Sequence, residues 1–416
     1  MNLKPISISL SPNTEKDDIF LAFKLLFKPW SWKQGSVIRE LENKFKEYLR
    51  VNHAISFNSG RSALLVLLKA LEVENGSEIL LQAFTCNAAS NPIIWAGLKP
   101  IYVDCNEDNF NIDLEDLKRK TSSKSRVLIV QHTFGLPADM DKIVEFCQEN
   151  NLILIEDCAH SLGATFSGEK VGTFGNAAFF SFSRDKIISS VYGGMLVTND
   201  SILTEKIYEI YKGIKFPTLF WVKQQLLHPI LMNILIIPTY KILGKYLLVL
   251  FQKLNLLSKA VHLKEKKGEL PGYFPKRLPN ALAILALNQF NKLEKFNAHR
   301  KLIAQNYRNN LEETYFIVPP SDNQTYLRFT LKHSKAHEII KYFWKRNILI
   351  GDWYTSPLAP KDTDLEKLQY EKGSCPKAEN LARITFNLPT HINISKEEGK
   401  KIVDLLKKYG SKGNTK

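Results

Sequence analysis

Short, almost continuous apolar runs recur along the first half of the chain. They stand at His53–Phe57, Glu78–Gln82, Lys99–Asp104, Arg126–Gln131 and Leu152–Asp157, then from Ala177 onward and at Met195–Thr198. Runs that are apolar at odd and even positions alike read as strands covered on both faces. Between them lie helical spacings. Ser36–Leu49 carries Val37, Ile38, Leu41, Phe45 and Leu49 on one side, and Ala63–Leu71, Ala88–Ala96 and Pro137–Asn150 read the same way. Residues 15–50 read as helical with breaks at Pro29 and Gly35, Phe110–Leu117 has an acid-rich helix start, and a helix runs from Asp200 to about Lys212. This alternation predicts an α/β fold with a mostly parallel central sheet and helices on both faces.

Further on, helices are expected at Ala281–Phe296 and Ala298–Leu311. Strands near Tyr326–Leu331 and Ile348–Gly351 flank a helix at Ala336–Arg346. Another helix opens at Ser374–Asn380, Leu388–His391 closes a strand, and Ser395–Tyr409 forms the last helix. These describe a smaller C-terminal α+β domain. The expected division is 1–212 for the N-terminal segment and large domain, 213–265 for an insertion, 266–312 for connector helices and 313–416 for the small domain. The tail Gly410–Lys416 is expected to be disordered.

The insertion breaks the pattern. Phe216–Val261 reads FPTLFWVKQQLLHPILMNILIIPTYKILGKYLLVLFQKLNLLSKAV, and between Glu209 and Glu265 there are eight lysines and no acid. Its longest run without a charged side chain, Gln224–Tyr240, has 17 residues and contains His228, Pro229, Asn233 and Pro238. A spanning helix needs about 20 apolar residues, so a crossing is not expected. Three readings stand: a helical hairpin lying on the cytoplasmic leaflet, an insertion buried in an oligomer, or the core of an enlarged domain. The lysine excess suits an anionic leaflet and favours the first.

The net charge of +15 fits nucleic acid, an anionic membrane or a phosphorylated ligand. No helix-turn-helix, zinc-finger or RNA-binding signature occurs, so no nucleic-acid partner is expected. The five cysteines are scattered without a CxxC pair, which points to reduced thiols in a cytoplasmic compartment and to no metal site. The start, MNLKPISISLSPNTEKDD, lacks the charged and apolar regions of a signal peptide.

Candidate chemistry collects between Leu152 and Asp200. Asp157 ends one apolar run, Ser181 and Lys186 end the next, and Gly193-Gly194 precede a third. A desolvated lysine amine can form a Schiff base with an aldehyde. Pyridoxal phosphate (PLP) needs that lysine, a carboxylate for its ring nitrogen and a phosphate cradle. Each residue alone is unremarkable, since a strand-end Asp or a single Lys is usually just solvated. Asn58-Ser59-Gly60-Arg61-Ser62 opens a helix, which makes either a phosphate site or a plain cap by Ser59 or Ser62.

The wording is more specific than the residues singly. Glu-Asp-Cys-Ala-His-Ser-Leu-Gly-Ala (156–164) is followed by Gly-Thr-Phe-Gly (172–175), Phe-Ser-Phe (180–182), Lys186, Gly193-Gly194 and Val-Thr-Asn-Asp (197–200). This order resembles the DegT/DnrJ/EryC1/StrS family. The resemblance implies a fold-type I, PLP-dependent transferase that aminates nucleotide-linked keto-sugars for cell-surface glycans, with glutamate as donor, working as a homodimer. It implies that Lys186 carries the cofactor and shuttles the proton, that Asp157 partners the ring nitrogen and that His160 lies against the cofactor. Ser181 and the loop Gly60, Arg61 and Ser62 would hold the phosphate, and Cys86 stands where many members place a stacking aromatic. The chain departs from the family wording in four places. Arg61 replaces a small residue or threonine, Cys86 the aromatic and Ile187 an Asn or His. Gly272–Arg277 lacks the Asn that crosses to the partner's phosphate. A sugar dehydratase is the rival within enzymes, although that subset replaces the lysine by histidine. A membrane-attached regulator on the same fold is the rival outside them.

Overall fold

A computed structural model describes residues 3–312, 314, 316–318, 320 and 323–413. Its centre is a seven-stranded sheet in the order His53–Phe57, Gly194–Thr198, Ala177–Ser181, Ile153–Asp157, Ser125–Gln131, Glu78–Gln82, Lys99–Val103. Only Gly194–Thr198 runs antiparallel to its neighbours. Ile55, Leu80, Ile129, Ile155 and Leu196 are all shut off from solvent, because helices cover both faces. That double cover explains why the runs are apolar without alternation. Ile153–Asp157 lies mid-sheet, so the ends of it and of Ala177–Ser181 open where α/β sheets collect ligands.

Glu156 fixes the excursion after that strand. Its buried carboxylate accepts N–H bonds from Gly172, Phe174 and Gly175 at 2.7–2.8 Å and faces His132 Nε2 at 3.2 Å. The loop 158–175 is thereby folded back under the sheet edge.

Several boundaries differ from those expected. The helix Gly60–Ala70 begins three residues early, because the Ser59 hydroxyl caps the Ser62 N–H at 3.0 Å. The connector helices break at residues 291–292, giving Asn280–Phe290 and Leu293–Leu311. Ile6–Ser7 pairs in parallel with Ile348–Leu349, and Ile6 packs with Phe329, Phe343 and Phe386. Within the N-terminal segment, the first residues therefore pack with the C-terminal unit. In that unit Phe329–Lys332 pairs antiparallel with Thr385–Leu388 beneath the helix Ala336–Trp344. The last helix, Lys396–Gly413, takes in residues 410–413 of the expected tail, and residues 414–416 lie outside the described residues.

The insertion divides into two unlike halves. Thr218 caps the helix Leu219–Leu231 through the Trp221 N–H at 3.2 Å, and Pro229 inside it cannot donate to the preceding turn. Wide turns follow at Met232–Ile236 and Tyr240–Gly244, with a bend of 113° between them, and the chain continues as Lys245–Lys253. Trp221, Val222, Leu226 and Ile230 are buried with Phe45, Phe180 and Leu282. Nothing in Lys245–Lys253 is buried, and Ile242, Leu243, Tyr246, Val249 and Leu250 are exposed. Core packing thus describes the first half, while the second only half-buries Leu247, Leu248 and Phe251 against Met232, Ile236, Ile237 and Leu257. Among the described residues no single helix is long and apolar enough to cross a membrane; the bent pair meets that test by length and composition only.

Candidate active site

Gly60, Arg61, Cys86, Asp157, His160, Ser181 and Lys186 line one cavity at the carboxyl ends of the central strands. Ser62 lies behind it. The Ser62 hydroxyl donates to Asn58 Oδ1 at 2.7 Å and its N–H is held by Ser59, so this residue builds the helix start without facing the cavity.

Lys186 follows the strand Ala177–Ser181 through a tight turn, its N–H bonded to the Ser183 carbonyl at 3.1 Å. The Asn13 amide holds the Lys186 carbonyl, and Arg300 Nη2 donates to Asn13 Oδ1 at 2.6 Å. The amine lies 5.2 Å from the Trp353 ring centre. Burial pulls its pKa below the ordinary lysine value, against the opposing pull of Asp185, Cys86 and Asp157. A larger fraction of neutral, nucleophilic amine results.

Asp157 is 5% exposed and takes the Ala159 N–H on Oδ1 at 2.9 Å. Burial raises its pKa; that hydrogen bond, Lys186 and His132 act the other way. A carboxylate so placed favours any cation that joins it.

His160 is buried and held neutral, its pKa pushed well down by burial and by Lys186 and Arg328. Its Nδ1 accepts the Phe134 N–H at 3.3 Å, which leaves the ring proton on Nε2, facing the Tyr354 hydroxyl at 3.3 Å. Phe134 and Trp353 stack on the imidazole at 6.0 and 5.7 Å.

The phosphate corner is built by backbone. Gly60 and Arg61 open the helix, and their N–H groups have no intrahelical acceptor. A Cβ on Gly194 would lie 2.5 Å from Gly60 N, and one on Gly60 would lie 3.3 Å from Ser181 Cβ. Two glycines therefore let the helix start abut the strand end that carries Ser181. Arg61 points elsewhere. Its Nε meets Glu265 Oε2 at 2.5 Å and its Nη2 reaches the Ala260 carbonyl at 3.4 Å. Burial lowers its pKa and Glu265 more than restores it.

Residues 258–265, the return of the insertion, are strapped across this corner. Arg184 donates to the Ser258 carbonyl at 2.8 Å and to its hydroxyl at 2.6 Å, and the Tyr192 hydroxyl donates to the Lys259 carbonyl at 2.6 Å. Asn91 Nδ2 holds the Glu265 carbonyl at 2.9 Å.

A lysine of lowered pKa, a buried acid and a glycine-lined helix start converge on one cavity, and this donor set fits PLP. Lys186 would bear it, Asp157 would face its ring nitrogen, and Gly60, Arg61 and Ser181 would hold its phosphate. Sequence reasoning missed Trp353, Tyr354, Arg184 and Tyr192, which line the same cavity. The one available signal for the first two was an aromatic pair in a loop between Gly351 and Pro357.

A family model described as the DegT/DnrJ/EryC1/StrS aminotransferase family matches residues 13–223 and 250–407, leaving out the middle of the insertion. A GDP-perosamine synthase of Vibrio cholerae is 36% identical over 177 residues, 42% of this chain and 48% of that protein. A pleiotropic regulatory protein of Geobacillus stearothermophilus is 25% identical over 416 residues, 98% of this chain and 99% of that protein. The chain spans about half the length of the curated relatives it matches at more than 30% identity. Helicobacter pylori PseC, an aminotransferase involved in the biosynthesis of pseudoaminic acid, shares the fold. It has a TM-score of 0.76, 21% identity and coverage of 98% of this chain and 100% of its own.

Proposed function

The chain belongs to the DegT/DnrJ/EryC1/StrS aminotransferase family, whose members use PLP, and on that premise we propose that it moves an amino group from L-glutamate to a nucleotide-linked keto-sugar. One observation carries the reading. Lys186 and Asp157 face a single buried cavity beside a glycine-lined helix start.

When bound, PLP supplies an electron sink for a carbanion at the donor carbon. The chain supplies the rest. The Asp157 carboxylate would favour a proton on the ring nitrogen. Lys186 Nζ, as a neutral amine, would serve as the base and acid that moves the proton at the donor carbon. His160 and Trp353 line the cavity and would limit the access of water to a bound cofactor, the contact that Cys86 cannot make. Cys86 contributes a small, protonated thiol, its pKa raised by burial.

The protein acts as a homodimer in cell-surface glycan synthesis, on the cytoplasmic face of a membrane. The exposed apolar side of residues 242–250, flanked by Lys241, Lys245 and Lys253, docks on an anionic leaflet. The charge balance supports this occupant, with eight lysines and no acid over 210–264.

Borohydride trapping and mass spectrometry test the chemistry. A pyridoxyl adduct is expected on the peptide that holds Lys186, and glutamate should bleach the purified yellow protein. An adduct elsewhere, or none, refutes the assignment. Stoichiometric glutamate consumption with a keto-sugar separates amino transfer from dehydration. For docking, the protein should co-sediment with phosphatidylglycerol vesicles and not with phosphatidylcholine vesicles, and Val249→Asp should abolish this. If Val249→Asp instead splits a dimer and leaves vesicle binding unchanged, the face belongs to a second copy.

A further inference from the structure

The cofactor cavity adjoins a second one of about 890 Å³, and Arg184, Asp185, Trp353 and Tyr354 are among the residues the two share. The outer wall of the second cavity comes from the insertion, through His228, Met232, Leu248 and Gln252. Two groups lining the second cavity carry unsatisfied nitrogens. His228 is 3% exposed, and neither of its ring nitrogens has a hydrogen-bond partner. Arg184 gives two donors to the neutral Ser258, its buried Nε has no acceptor, and among the described residues no carboxylate pairs with it.

Asp352 and Lys361 line the second cavity as well, and three further charge pairs surround the junction. Arg61 pairs with Glu265, Asp185 with Arg328, and Lys266 with Asp362. A guanidinium with a spare donor and a buried, unpartnered imidazole thus line one cavity. Guanidinium donors suit phosphoryl oxygens by geometry as well as charge.

We propose that Arg184 and His228 form the subsite that takes the diphosphate of the acceptor sugar. The inference rests on the aminotransferase reading and adds the anchor that positions the acceptor between the insertion and Lys186. It gives the insertion a direct part in binding. A nucleoside diphosphate and an isoprenyl diphosphate share the recognised group, and the wall of Met232 and Leu248 is open to either.

Calorimetry on the PLP-loaded protein tests this with inorganic pyrophosphate, GDP and geranyl diphosphate. All three should bind and compete. Arg184→Gln should weaken each at least tenfold, His228→Phe several-fold, and Arg184→Lys less than Arg184→Gln. Ser258→Ala, which removes only the strap contact, should bind within twofold of the parent. Tighter binding of GDP than of pyrophosphate marks a nucleotide carrier; tighter binding of geranyl diphosphate marks a lipid one. Three results overturn the proposal: no probe binds the parent, Arg184→Gln binds pyrophosphate unchanged, or Ser258→Ala loses as much as Arg184→Gln. The measurement needs no turnover, so its failure leaves the Lys186 adduct and glutamate bleaching as separate tests of the aminotransferase reading.

Discussion

Glu265→Gln isolates the link between the insertion and the cofactor corner. The Glu265 side chain is fully shut from solvent and that of Arg61 is 10% exposed, with 2.5 Å between the paired atoms. Glutamine keeps the shape, and its carbonyl can still accept the His262 N–H that Glu265 Oε1 now takes at 2.8 Å. What disappears is the charge opposite Arg61. Leaving one partner of a buried pair uncompensated costs about 3–5 kcal/mol. An unfolding entropy of roughly 2.1 cal/mol/K per residue converts that into a melting point lower by about 3–6 °C for a chain of this length. Arg61→Met should cost a similar amount, since it strands the acid instead. The double variant Arg61→Met/Glu265→Gln should recover most of the loss, because a buried pair replaced by neutral groups is often near neutral in stability. Thermal melting of the apo-protein at fixed concentration gives all four corners of the cycle. If each single variant melts within 1 °C of the parent, or the double variant shows the plain sum of two losses, the pair is not the tether described here.

Three shorter predictions concern the cavity itself. The pKa of Lys186 lies lower folded than unfolded, so the folded apo-protein binds fewer protons between those two values. Its stability should rise with pH across that window, and PLP capture should accelerate with a midpoint below about 10.4, the ordinary lysine value; stopped-flow absorbance reads the second, and a midpoint at or above that value contradicts the burial argument. Asp157→Asn should leave the apo-protein equally or more stable, since it removes a desolvated carboxylate, yet weaken PLP binding by at least tenfold in a fluorescence titration. Gly194→Ala would put a methyl group 2.5 Å from Gly60 N and push the helix start off the strand, so PLP affinity should fall by at least tenfold, whereas Gly213→Ala, with nothing near its Cβ position, should not change it.

The parts of this architecture legible in the sequence are those set by short-range pattern. The seven sheet strands appear as apolar runs because both faces are covered. Asp157 and Lys186 could be paired because adjacent sheet strands end just before the site, one with Asp157 itself and the other five residues short of Lys186. Trp353 and Tyr354 could not, since only the C-terminal unit's return to the sheet brings them against His160, almost two hundred residues away. The early start of the helix Gly60–Ala70 was hidden by a glycine and an arginine where an apolar periodicity would begin. Ile6–Ser7 is too short to show any period, and its partner strand is more than three hundred residues downstream. Ser62 looked like a ligand because a hydroxyl at a helix start serves either a cap or a phosphate. Only the Ser59 and Asn58 contacts decide for the cap.

Arg61 and the insertion each depart from the family wording, and the structure makes them one departure. A guanidinium at the start of a phosphate-binding helix, left unmatched, would face Arg184 across the same cavity, and the two cations would oppose each other. Glu265 removes that conflict by neutralising Arg61 and holding residues 258–265 over the corner. The strap in turn brings Ser258 to Arg184, and the Ser258 hydroxyl donates to Gln225 Oε1 at 2.7 Å on the helix that bears His228. An Arg61→Thr change made alone would therefore strand Glu265 and loosen the strap. The same change made with Glu265→Gln should be tolerated far better. The size of that difference measures how strongly the added segment depends on a single side chain at the edge of the cofactor site.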